Sequence, residues 1–82
     1  MSTDFILAHE ISLNNFIVKL YHFDDNSPYV DINTVNNLID QLNACTYPRE
    51  ILDIVAPLQG ITKTEIFDLN SNLVLKNNII FE

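Results

Sequence analysis

From Phe5 to Phe23 the chain is a run of β-branched, aromatic and aliphatic residues with one clear break, Asn14-Asn15. Val, Ile, Tyr and Phe suit the pleated surface of a strand, and an Asn-Asn pair tolerates the positive φ of a tight turn. The segment therefore predicts two strands closed into a hairpin rather than one long helix. With Asn14 and Asn15 as a two-residue loop, Leu13 faces Phe16, Ile11 faces Val18, and Glu10 lies opposite Lys19, an acid matched to a base. Phe5, Leu7, Ile11, Leu13, Phe16, Val18 and Leu20 then share one face, assigned to the core, while Glu10, Ser12 and Lys19 take the other. Tyr21 and Phe23 also alternate off the core face, along with Ile6 and Ile17. A sheet that is apolar on its second side implies a partner or self-association.

Helical spacing follows the polar cluster Asp24-Asp25-Asn26-Ser27-Pro28. Asp31 is placed to cap a helix running to about Cys45, with Val30 and Val35 as a staple across the cap. Ile32, Val35, Leu38, Ile39 and Leu42 recur at spacings of three and four, leaving Asn36, Asn37, Asp40 and Gln41 toward water. Thr46-Tyr47-Pro48 restarts the chain into a second short helix carrying Ile51, Leu52, Ile54 and Val55. Its proline falls near the first turn, and Glu50 near the positive end of the dipole. Pro57 disfavours helix at Ala56, and Gly60 can supply a stop.

Beyond Ile61 the pattern returns to strand, turn, strand. Asn70-Ser71 as a two-residue loop sets Phe67 opposite Val74 and Glu65 opposite Lys76, other loop lengths staying open because no glycine fixes the turn, and Asn77-Asn78 ends or bulges the last strand before Ile79, Ile80 and Phe81. The expected fold is α+β, in the order ββααββ: two β-hairpins flanking two amphipathic helices, with an antiparallel four-stranded sheet and both helices on one face. A dimer in which the hairpins of two chains complete one sheet is the alternative. Residues 1–82 are expected to form a single small globular domain.

Eleven acidic residues against four basic ones give a net charge of −7. Such a chain repels nucleic acid and anionic membrane surfaces, so neither is expected as a direct partner. The start of the sequence has no basic region, and its short apolar run, Phe5 to Ala8, is too brief for a signal peptide or membrane span. Together with a lone thiol, Cys45, this points to the cytoplasm.

Chemistry-bearing motifs are absent. One glycine in the chain leaves no phosphate-cradling loop, no serine sits in a nucleophile elbow, and Asp24-Asp25-Asn26 lacks the glycine and distal Glu of a calcium loop. Cys45 follows an amphipathic helix, where thiols pack as small hydrophobes. His9 and His22 fall diagonally on one face of the first hairpin, but two histidines without further ligands do not make a metal site. No catalytic residue, metal or cofactor is assigned.

The acids themselves are the remaining candidates. Pairing matches Lys19 to Glu10, Lys76 to Glu65 and Arg49 to Asp53, leaving the unmatched charge concentrated at Asp24, Asp25, Asp31 and Asp40. With Tyr21, Phe23 and Tyr29 nearby as aromatic anchors, these residues form a candidate partner-binding surface. The expectation is a small acidic, non-enzymatic protein-binding module, an inhibitor or adaptor that occludes a partner protein, with a basic or nucleic-acid-binding protein fitting the charge. A homo-oligomeric assembly component, in the simplest case a homodimer, is the alternative. In size and charge the chain is similar to small acidic inhibitors made by phages and mobile elements, anti-CRISPR and anti-restriction proteins among them. That likeness is one of composition and rests on no motif.

Overall fold

The computed structural model describes residues 5–23, 31–58, 61 and 63–78. The described elements are β1 (Phe5–Ser12), β2 (Phe16–Phe23), α1 (Ile32–Asn43), α2 (Pro48–Val55), β3 (Lys63–Asp68) and β4 (Leu73–Asn78). The strands form one antiparallel sheet in the order β1-β2-β3-β4, with both helices inserted between β2 and β3. Since β2 pairs directly with β3, the two hairpins of one chain complete the sheet and no second chain is needed for it.

Alternation sorts the strands into two faces. Ile11, Val18, Leu20, Thr64 and Ile66 are buried on the inner face. Val35 and Leu42 of α1, with Ile51, Leu52 and Val55 of α2, close over it in the same core cluster. Inner-face His22 is also fully buried, while His9 beside it is partly covered. α2 lies against β3 and β4. The C-terminal end of α1 is tied to the first hairpin by the Asn14 N–H, which donates to Asn43 Oδ1 at 2.9 Å.

The first hairpin has the expected register at its closed end: Glu10 pairs with Lys19, Ile11 with Val18, and the Leu13 N–H donates to the Phe16 carbonyl. Its turn is not of the positive-φ kind expected for Asn14-Asn15; Ser71 is the one non-glycine residue with positive φ among those described. Further out, Ala8 is an extra residue on β1, so Leu7 pairs with Tyr21 and Ile6 with His22. This bulge reverses the phase of the strand. Leu7, expected in the core, therefore stands on the outer face, 46% exposed.

Helix boundaries follow the sequence signals closely. Asp31 occupies the N-cap position of α1, yet its side chain makes no capping hydrogen bond; Val30, the other half of the expected staple, lies outside the described residues. In α2, Pro48 takes the first position, and Glu50 Oε1 accepts from the Thr46 and Tyr47 N–H groups, each at 2.9 Å. This carboxylate satisfies donors at the start of the helix and complements its dipole. The helix ends at Val55, before Pro57.

In the second hairpin Glu65 pairs with Lys76 as expected, but Phe67 pairs with Leu73, not Val74, because Val74 is extra on β4. The loop is one residue longer than anticipated. The Ser71 N–H donates to the Asp68 carbonyl and the Asp68 N–H to the Asn72 carbonyl, each at 3.0 Å, while Ser71 has φ of 68°. This is a type I turn followed by a left-handed residue, a position glycine normally fills. The Asp68 carboxylate secures it by accepting from the Asn70 and Asn72 N–H groups at 2.8 and 3.0 Å, contacts that hold its pKa below the ordinary value. Ser71→Gly is expected to raise the unfolding free energy by about 0.5–1 kcal/mol, because relief at positive φ outweighs the added freedom of the unfolded chain. Urea denaturation measures it.

The continuation of β4 through Ile79, Ile80 and Phe81 lies outside the described residues. Among those described, no helix is long and apolar enough to cross a membrane.

Candidate protein-binding surface

The sequence-predicted site divides. Asp24, Asp25 and Tyr29 lie outside the described residues, and Phe23 is described only by its backbone pairing with Phe5. Asp31 and Asp40 are exposed at the start and on the solvent side of α1. Tyr21 stands on the outer face of the sheet, turned away from the face that α1 covers. Tyr21 is thus not in one patch with Asp31 and Asp40.

Most described acids have a structural role. Glu50 caps α2, Asp68 holds the β3–β4 turn, Asp53 pairs with Arg49 at 3.3 Å, and Glu10 pairs with Lys19 at 3.7 Å. Glu65 sits opposite Lys76, but its carboxylate engages Lys63 at 3.6 Å and accepts a hydrogen bond from the Tyr21 hydroxyl at 2.6 Å. Lys63 replaces Lys76 because it is two residues along the same strand and directly opposite Tyr21, whose ring it covers at 4.9 Å. Asp31 and Asp40 are the described acids left without such a role.

The outer face of the sheet, expected from the first hairpin to be apolar on its second side, extends across both hairpins. Three cross-strand rows run over it. Nearest the hairpin turns stand Ser12, Ile17, Phe67 and Leu73. Next comes an alternating charged row of Glu10, Lys19, Glu65 and Lys76. The third places Leu7 beside Tyr21 and Lys63. Lys19 lies over the Phe67 ring, 5.0 Å from its centroid, so cations cover part of both aromatic rings. Glu10, Ile17, Lys19, Phe67 and Ser71 line a shallow open depression of about 270 Å³.

The centre of this face is partly desolvated. Ile17, Lys19, Tyr21, Lys63, Glu65 and Phe67 are half-buried by their neighbours, while Leu7 and Leu73 are each 46% exposed. Burial, followed by the hydrogen bond to the Glu65 carboxylate, pushes the Tyr21 hydroxyl up to about 12. Ile17 was legible as an apolar residue on the second face. Phe67 and Lys63 were not, because placing them beside β2 requires knowing that the hairpins adjoin.

Reactive groups elsewhere are committed to the fold. Cys45 is buried, its thiol donates to the Gln41 carbonyl at 3.3 Å, and burial with nearby Glu50 pushes its pKa up, against nucleophilic use. Among the described residues there is no group of three His, Cys, Asp or Glu side chains placed to hold a metal ion. In comparison with known proteins, no protein-family model, curated protein or solved structure matches the chain.

Proposed function

We propose that this chain is a small non-enzymatic protein-binding module, an inhibitor or adaptor that covers the surface of another protein with the outer face of its sheet. The observation that carries the reading is the composition of that face: Ile17, Phe67, Leu7 and Leu73 beside an ordered row of opposite charges, with no element of the described chain packed over it. Phe67 and Tyr21 stand half-buried on either side of the charged row, and aromatic residues set among apolar neighbours in this way are what protein interfaces use as anchors. A cytoplasmic setting suits the single unbridged thiol.

Asp31 and Asp40 support a second reading, docking of a basic protein along α1, since neither faces a basic side chain among the described residues. Capture from native cells separates the two. Phe67→Glu is expected to abolish retention of the partner, whereas Asp31→Lys with Asp40→Lys leaves it within about threefold. The opposite pattern would move the site to α1, and retention by both variants would sink both readings.

A further inference from the structure

The charged row on the outer face is self-complementary. Read across the strands it runs Glu10, Lys19, Glu65, Lys76, so the order of signs reverses when the row is read from the other end. Two copies packed face to face about a two-fold axis parallel to the strands, between β2 and β3, bring β1 against β4 and β2 against β3 of the second copy. Glu10 then meets Lys76, and Lys19 meets Glu65.

The flanking rows match under the same operation. Ile17 meets Phe67, an aliphatic side chain against an aromatic ring, and Tyr21 meets Lys63, the type of cation–ring contact these two residues already make within one chain. A two-fold axis perpendicular to the strands, along the charged row, instead sets Glu10 against Glu10 and Lys19 against Lys19. That arrangement is repulsive at every position of the charged row.

Overall charge favours the same face. Two chains of net charge −7 repel, yet Lys19, Lys63 and Lys76 stand here against Glu10 and Glu65, so three of the four basic residues lie on one surface. It is where two copies can approach at least electrostatic cost. An isologous contact of this kind closes after two subunits.

We infer that the occupant of the outer face is a second copy of this chain, giving a two-fold sandwich with the sheets inside and the helices outside. The inference rests on the outer face being the protein-binding surface. Its footprint is about 19 Å by 20 Å from strand spacing and rise, a small patch consistent with reversible association.

The test is sedimentation equilibrium on the purified chain from low micromolar to low millimolar concentration, at low and moderate salt. A monomer–dimer equilibrium that tightens as salt screens the net charge is expected. Glu10→Lys or Lys76→Glu alone should weaken it about tenfold, and the two together should restore it to within about threefold. Within one chain these positions lie on opposite edges of the sheet, so rescue reports a contact between copies. Both are exposed and carry no core packing. A wild-type chain that stays monomeric, or a double variant as weak as either single one, would overturn the inference. A monomer that still retains a different protein through Phe67 would leave the protein-binding reading standing, whereas retention unaffected by Phe67→Glu would remove that reading too.

Discussion

Ile51→Ala is expected to lower the unfolding free energy by about 3–4 kcal/mol, a large share of what a domain of this size holds. Ile51 is completely buried on α2, in the core cluster that includes Val18 and Ile66 of the sheet. Its truncation removes apolar contacts and leaves a space that two secondary-structure layers can fill only by shifting together. Leu69→Ala is the control: Leu69 is 58% exposed in the β3–β4 turn, and its loss should change stability by less than about 0.5 kcal/mol. In urea denaturation, Ile51→Ala should move the midpoint with little change in slope. Equal effects from the two substitutions would contradict the assignment of the core.

Glu65→Ala is expected to cost about 1.5–3 kcal/mol, from loss of a charge-assisted hydrogen bond and the attachment of Lys63 on a central strand. The same substitution should be visible in alkaline titration. In the wild type, burial and the Glu65 carboxylate push the Tyr21 hydroxyl up from an ordinary value of 10.0 to about 12. A folded-state pKa above the unfolded value means that the neutral hydroxyl is favoured in the fold. The resulting stabilisation is fully present below pH 10 and declines as pH rises from 10 toward 12. Without the Glu65 carboxylate, Tyr21 should move down but stay above 10, since burial is the larger cause. Tyrosinate absorbance at 295 nm follows the transition, and an unchanged profile would show that the 2.6 Å contact does not form in solution.

Legibility in the sequence followed the physical strength of each signal. The pairing of Glu10 with Lys19 could be read because a two-residue loop fixes the phase and opposite charges agree with it, whereas Glu65 meets Lys76 because the extra residue Val74 offsets a turn one residue longer than expected. The bulge at Ala8 left no trace, since Phe5-Ile6-Leu7-Ala8 is apolar throughout and a change of phase alters no pattern. Val74 was hidden in the same way between Leu73 and Leu75. The length of the second turn stayed open because serine, not glycine, holds the left-handed position. Strand order has no signature in the sequence because the helical connection from β2 to β3 permits several arrangements, and that order creates the outer face. The acidic count also misled in one respect: Asp68 contributes to the sum but serves the turn that holds it.

The two bulges share a placement with a consequence for chain-to-chain growth. Ala8 and Val74 are the extra residues of β1 and β4, the first and last strands of the sheet, whose outer edges pair with no other strand among the described residues. Adding the β1 edge of one molecule to the β4 edge of another would propagate without closing, the geometry of a fibre. An irregular rung on each edge breaks the even ladder such growth requires. Removing either residue is expected to restore straight alternation and open a route to amyloid-like stacking.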